Sequence, residues 1–540
     1  MDDHPGGDSE GNTPVPDETT RAVLRAVRTV RAGGPKALQR AVKSLSQGAL
    51  ASINDTVLEK LRALHPPAGP SLPEMPVDRS PGIVSMDQTQ LFRLLSRRVN
   101  NGSAAGPSGW TGAHLQLIAQ NASPEAQDGL TMLIKDIGNA TFGGHMRQRL
   151  LASLLLSIEK RDGGVRPIAC GEVFTKLAAH YQMHLIEDQL PSLFPRIQFG
   201  VRKPGGSESA AQLARAMIDQ CRSVHIDTIA LQTDFINAFN NADRAQMWET
   251  LMRHDEVAPI LRMFHWAYAE ESPLLVYERS RLKAILASAQ GVRQGDPFAA
   301  FVFALLVQTL YEKAIAGHPD CHAVSVLDDL TLVGPLDQVM RAYDYIALHA
   351  EEYHLQLRVD KCSVYVPPTD DLPPATRHSI EHACTSRQLR CLDRLELLGV
   401  TLGTAEDIHS HLTRSIDQHQ KLFEYLHHPA MPTQIGFALL RYCALPRLSY
   451  LARTTLPEHM LRSEMAPRFD SMVIDCYHRI MGTTEEMSDR HVLEQIQLPI
   501  KRGGMGLRPV ARTCHSAYFA SLASIMTEFV QAFPATENHR

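Results

Sequence analysis

An α+β fold is what this sequence predicts, on three observations. Two stretches, Ile229 to Phe235 and Ala323 to Val333, alternate or run apolar in the manner of strands that carry side chains to one sheet edge. Between them the run Phe298 to Val307 opens a strongly apolar helix. Residues 21–65 and the chain from Glu406 on show helical periodicity instead.

Length and composition bound what such a fold does. At 540 residues the chain holds two to four domains by the usual length prior. Its 54 basic and 59 acidic residues leave a formal charge of −5, which excludes a uniformly basic nucleic-acid binder, so any grip on phosphates comes from local patches. Nine cysteines without a C-x-x-C pair, and no N-terminal apolar run, predict a reduced intracellular protein. Phe298 to Val307, the longest apolar stretch, is ten residues, well short of the roughly 18 that span a bilayer, so no membrane partner is expected.

In chain order, residues 1–20 are rich in Gly, Pro, Asp and Glu and predict a disordered tail. Residues 21–65 form a basic helical region. Arg21, Arg25 and Arg28 recur at helical spacing, with Val23, Val27 and Val30 on another face, and no acid occurs from Arg21 to Lys43. That face suits a nucleic-acid backbone and equally suits solvent. Gly33-Gly34-Pro35 breaks the helix, and a second amphipathic run spans Ala37 to His65. Residues 66–85 read as a Pro-rich linker, since His65 to Gly82 holds six prolines in eighteen residues.

Helical periodicity resumes at Asp87 and contains Gly102 to Ile118, GSAAGPSGWTGAHLQLI; Ile158 to Ile168, IEKRDGGVRPI, is hairpin-like. A Gly-rich loop, Phe199 to Ser207, precedes a helical run through Cys221. Beyond Gly334, Pro335 to His354 reads as a helix and Leu355 to Val366 as a strand. His378, His382, Cys384 and Cys391 match no usual zinc spacing, and no zinc is expected.

The chemistry concentrates in three carboxylates. Asp328 and Asp329 sit where a hairpin would turn, able to meet Asp234 arriving on a neighbouring strand. Asp is also a favoured turn residue. Ionised carboxylates gathered together need a cation, and hard oxygen ligands without His or Cys suit Mg²⁺. Two such ions, roughly 3.5–4 Å apart, would clamp the attacking and leaving oxygens of a phosphoryl transfer.

The order D-x-x-x-A-F (Asp234 to Phe239), Q-G-D-P (Gln294 to Pro297) and L-D-D (Leu327 to Asp329) resembles the palm motifs of reverse transcriptases, most of all the non-LTR, LINE-like retrotransposon branch. GPSG at Gly106 and K-x-x-G-x-x-R-P-I, ending at Ile168, are similar to that family's fingers motifs. The resemblance runs from about Pro66 to Ala523. It implies a right-hand polymerase with fingers over 86–227, a palm with an antiparallel sheet over 228–402, and a helical thumb with a C-terminal extension over 403–540.

The resemblance also implies roles. Asp234, Asp328 and Asp329 would be catalytic and, with the Phe235 backbone carbonyl, would hold two Mg²⁺ ions, Mn²⁺ being the alternative. Arg166 and Lys160 would meet the triphosphate, for which an Arg fork and a Lys point charge are suited. Phe239 would crowd a ribose 2′-hydroxyl, Gln294 and Gly295 would lie along the nucleotide, and Lys361 would give the departing pyrophosphate a proton. Gly399, in the hairpin Leu397 to Val400, would grip the primer, and Arg202 and Lys203 would follow template or primer phosphate. Val326 departs from the aromatic usual there, which bears on nucleotide fit.

The expected activity is RNA-directed DNA polymerisation from a retrotransposon: extension of a DNA primer on an RNA template with deoxynucleoside triphosphates. The other reading is a catalytically silent or domesticated nucleic-acid-binding protein derived from such an element. No large domain precedes the fingers, so a separate endonuclease is an expected partner. Nuclear residence is implied only by what such elements do.

Overall fold

The computed structural model describes residues 17–33, 37–46, 51–75, 82–99, 104–160, 163–368, 372–483 and 489–534. The expected disordered tail falls almost entirely outside these residues, as does part of the Pro-rich segment. The architecture is α+β, as the sequence predicts.

Its strands are β1 (Ser153–Glu159), β2 (Val165–Gly171), β3 (Thr228–Thr233), β4 (Ser272–Glu278), β5 (Arg281–Ser288), β6 (His322–Val326), β7 (Asp329–Pro335), β8 (Ser363–Tyr365), β9 (Arg390–Leu392), β10 (Leu395–Leu397) and β11 (Val400–Leu402). One sheet has the order β2-β1-β4-β5, a second β6-β7-β3-β8-β9, and β10-β11 form a hairpin.

Strand β3 lies inside the second sheet, antiparallel to β7 on one side and β8 on the other. Alternate residues of a strand point to opposite faces, and here both faces are covered. Ile229 and Leu231 enter a core with Leu332, Val339, Ile346 and the helix Ala299–Ile315. Ala230 enters a second core with Val333, Val324 and the helix Gly206–Arg222, through Ala210, Leu213 and Met217. The helix Ala299–Ile315 is apolar on nearly every side because it is buried on nearly every side.

The expected strand over Leu355 to Val366 shrinks to Ser363–Tyr365. Leu357 makes only an isolated bridge to Phe235, and the chain then turns, Lys361 and Cys362 both donating to the Arg358 carbonyl. The physical reason is that the Arg358 N–H is committed to the Asp234 carbonyl at 2.7 Å, which ties the segment to the end of β3 instead of extending a ladder. Likewise the run Ala37 to His65 is two helices, Ala37–Ser46 and Asp55–Ala63.

Contacts divide the chain into two compact units, 1–47 with 412–449 and 460–514, and 48–411 with 450–459 and 515–540. These do not follow the boundary drawn from the prolines. In the first unit the helix Glu18–Arg31 buries Val23 and Val27, leaves Arg25 and Arg28 exposed, and packs with Ala37–Ser46. That pair is joined by Gln420–Leu426 and Thr433–Leu439, and Phe469 of Met465–Met481 meets Phe423 edge-on at 6.0 Å. In the second unit Asp55–Ala63 covers the first sheet, Ile53 and Leu61 packing on Leu155, Val165, Leu274 and Val276. Apolar helix faces are assigned by what covers them, and proline content cannot report that.

His180 is held neutral in this second unit. Burial, reinforced by Arg202, Arg98 and Lys176 and opposed by Asp296, pulls it from 6.5 to about 4, and its Nδ1 has no hydrogen-bond partner among the described residues. Because the folded value lies below the ordinary one, this contribution to stability is complete above pH 6.5 and lost as pH falls through about 4. Thermal midpoints measured across that window should fall, and His180→Leu should flatten the slope.

Candidate active site

Asp234 leaves the end of β3, Asp328 occupies the turn after β6, and Asp329 begins β7. Register brings them together: Thr233 pairs with Leu330, and Val326 with Asp329, so Leu327 and Asp328 form a two-residue turn at the edge where β3 ends. Leu327 adopts φ 61, which a branched side chain disfavours and which persists only where neighbours fix it. Buried Gln198 does so, its Oε1 accepting from the Leu327 N–H at 2.7 Å and the Gly200 N–H at 2.8 Å. A Cβ on Gly200 would lie 2.8 Å from Leu327, so the Gly-rich loop meets the carboxylate turn closely.

The three carboxylates open on one cavity of about 920 Å³, whose wall also includes Lys160, Arg166, Phe235, Phe239, Gln294, Gly295 and Lys361. Burial, then the charges of Asp329 and Asp234, push Asp328 up to about 6, against a pull from Arg166. Asp329 is exposed to the cavity yet ringed by protein, and that crowding and Asp234 raise it. Burial raises Asp234, opposed by Lys361, Arg358 and Lys160. Among the described residues no group of three His, Cys, Asp or Glu side chains is placed to hold a metal ion. The donors still fit a hard divalent cation, because three oxygen-bearing acids are held against their own repulsion and a cation would relieve it.

Each other wall has its own support. Arg166 is exposed on β2 opposite Ile158, and the far end of that strand is fixed by buried Glu172, which accepts from Ser108 N at 2.7 Å and Oγ at 2.5 Å. This joins the two fingers-like motifs. The Ala169 N–H donates to the Gln294 carbonyl at 2.8 Å, and Gly295, at φ +119, passes so near Ala169 that a Cβ would lie 2.6 Å from its oxygen. Phe239 is half-buried, its ring stacked on Phe303 at 4.5 Å and 18°.

Three expected residues lie elsewhere. Arg202 is ion-paired to Glu187 at 3.0 Å, and Lys203 to Glu528 at 2.5 Å while lying over the Phe199 ring, so both are partly committed within the protein. Gly399 turns the β10-β11 hairpin at φ +83. The Tyr450 hydroxyl donates to the neighbouring Leu398 carbonyl at 2.6 Å, and Leu397 and Leu398 border a second cavity of about 430 Å³ that shares Asp234, Asp329 and Lys361 with the first.

Sequence reasoning missed Arg358, Leu64, Gln198 and Arg390. Arg358 lines the main cavity three residues before Lys361, and a basic pair flanking a turn was the available signal. Leu64 arrives from the N-terminal region, its carbonyl accepting from Asn237 and Asn240 side chains at 2.9 Å each. Nothing local announces it. Arg390 lines the second cavity.

Residues 158–426 match the family described as reverse transcriptase (RNA-dependent DNA polymerase). The retrotransposable element SLACS 132 kDa protein of Trypanosoma brucei gambiense is 24% identical over 446 residues, 83% of this chain and 35% of the relative, so the chain spans about a third of that protein's length. Among solved structures, apo telomerase from Candida tropicalis aligns over 72% of this chain and 69% of its own at 11% identity and a TM-score of 0.38. Telomerase from Candida albicans, in complex with a TWJ fragment of telomeric RNA, aligns over 72% and 67% at 11% identity and a TM-score of 0.36.

Proposed function

We propose that this chain, residues 158–426 of which match the reverse transcriptase family and which is similar to a retrotransposable element's protein, is a reverse transcriptase of the non-LTR retrotransposon branch and extends a DNA primer on an RNA template with deoxynucleoside triphosphates. The observation that carries the reading is one cavity faced by Asp234, Asp328 and Asp329, by the cations Lys160, Arg166, Arg358 and Lys361, and by Phe239.

Asp234, Asp328, Asp329 and the Phe235 carbonyl are the groups that would hold divalent metal, Mg²⁺ by the hardness of the donors. When bound, such ions lower the cost of the charge that builds on the attacking and leaving oxygens. The primer 3′-hydroxyl gives up its proton to solvent as its oxygen attacks the α-phosphorus, and the bond from that phosphorus to the pyrophosphate oxygen breaks. Arg166 and Lys160 neutralise the triphosphate and orient it in line. Lys361, at the turn beside Asp234, donates a proton to the leaving pyrophosphate oxygen. Gln294 and Gly295 lie along the nucleotide, and Phe239 excludes the 2′-hydroxyl. The Leu398-Gly399 turn supports the primer end in the adjoining cavity, and Arg202 and Lys203 reach template or primer phosphate on exchanging their acidic partners. Base pairing selects the nucleotide, so affinity for the duplex comes from backbone and shape and falls with salt.

The similarity to a retrotransposable element's protein supports an origin in such an element; a separate endonuclease as partner and a nuclear site of action belong to the same proposal. No helix among the described residues is long and apolar enough to cross a membrane. Primer extension on poly(rA)–oligo(dT) with Mg²⁺ and dTTP tests the activity. Duplex binding that weakens with salt, without extension, would instead support a binding protein that has ceased to polymerise.

A further inference from the structure

The segment that carries Phe239 is tied to the one that leads into Gln294, and Arg244 makes the larger tie. The Val292 N–H donates to the Phe239 carbonyl at 2.8 Å. Arg244, only 3% exposed, turns its guanidinium onto the backbone just before Val292. Its Nε donates to the Gly291 carbonyl at 2.8 Å, and its Nη2 to the Ser288 carbonyl at 2.9 Å, the Ser288 Oγ at 3.1 Å and the Gln290 carbonyl at 3.4 Å. Its Nη1 donates to the Tyr268 carbonyl at 3.1 Å.

Every one of these acceptors is a neutral oxygen. Burying a cation without an acid partner is costly unless its donors are all engaged, and the planar five-donor fork is what lets one side chain engage several carbonyls together. A hydrophobic residue would fill the same space without that cost, so the specific product of Arg244 is a fixed course for Ser288 to Gly291. That course leaves no slack. Gly291 sits at φ +59, and a Cβ there would lie 2.2 Å from the Phe239 carbonyl oxygen. On its other side the Phe239 ring rests on Phe303, itself fully buried.

We propose that Arg244 is a positioning residue for sugar selection: by holding Ser288 to Gly291 against the Phe239 carbonyl, it sets how far the Phe239 ring projects into the nucleotide cavity. Arg244 does not line that cavity, so its effect passes through Phe239. The inference rests on the reading of Phe239 as the group that excludes a ribose.

The test is single-nucleotide incorporation by the full chain opposite template rA, with dTTP and with UTP, for the parent, Arg244→Lys, Phe239→Ala and the double variant. Lysine keeps the charge and loses the fork. Arg244→Lys should lower the dTTP-over-UTP preference about tenfold, chiefly through a lower KM for UTP. It should add little in the Phe239→Ala background, because two residues acting through one contact are not additive. An equal loss with both nucleotides, tracking a lower thermal midpoint, or full additivity with Phe239→Ala, would overturn it. If Arg244→Lys does not fold, Ser288→Ala, which removes one acceptor, should shift the preference the same way, and an unchanged preference defeats the proposal. No extension by the parent defeats the polymerase reading and this one with it. Relaxed selectivity in Phe239→Ala alone, with Arg244→Lys and Ser288→Ala like the parent, defeats only this one.

Discussion

Asp328→Asn with Asp329→Asn should reduce primer extension by about 10³-fold or more while leaving duplex affinity within about threefold of the parent. The substitutions preserve shape and remove two of the three negative charges that crowd the end of β3, so the cost falls on the charge needed to gather divalent cations. Asp328 gives the sharper single test because it is the most strongly raised of the three, at about 6, by burial first and then by the neighbouring carboxylates. Its replacement by Asn also relieves that repulsion, so the double variant should be no less stable to heat than the parent. Extension assays in Mg²⁺, filter binding of the poly(rA)–oligo(dT) duplex and a thermal melt read the three quantities separately. Retained extension would remove these aspartates from the catalytic role.

The second large effect concerns the sugar. Phe239→Ala should cut discrimination against UTP by about 10²-fold, roughly 2.8 kcal/mol at tenfold per 1.4 kcal/mol. The ring is half-buried, stacked on Phe303 and part of the cavity wall, so truncation opens space where a 2′-hydroxyl would otherwise clash. Phe239→Val should give a smaller change in the same direction. Competition of dTTP against UTP in one reaction measures it, and unchanged selectivity in both variants would reassign Phe239 to the core.

Much of this site was legible because its signals are local. A strand that leads into Asp234, a turn holding Asp328 and Asp329 and the Gln294 to Pro297 loop before an apolar helix are each written within about ten residues by alternation, turn chemistry and periodicity. Their order along the chain supplied the resemblance to reverse transcriptases, and with it the expected right-hand arrangement and the candidate residues, most of which converge on one cavity.

What only the tertiary structure decided depends on partners far apart in sequence. The reduction of Leu355 to Val366 to a short strand follows from one hydrogen bond to the Asp234 carbonyl. The commitment of Arg202 and Lys203 to Glu187 and Glu528, the clamp of Gln198 on a strained Leu327, and the arrival of Leu64 beside Asn237 join residues from different parts of the chain. Arg244 is the clearest case, since in sequence it is one more arginine opening a helix and in the fold it is a buried cation held by backbone oxygens. Periodicity and motif report which way a residue faces within its own element; which groups satisfy a buried donor is settled only when distant segments pack.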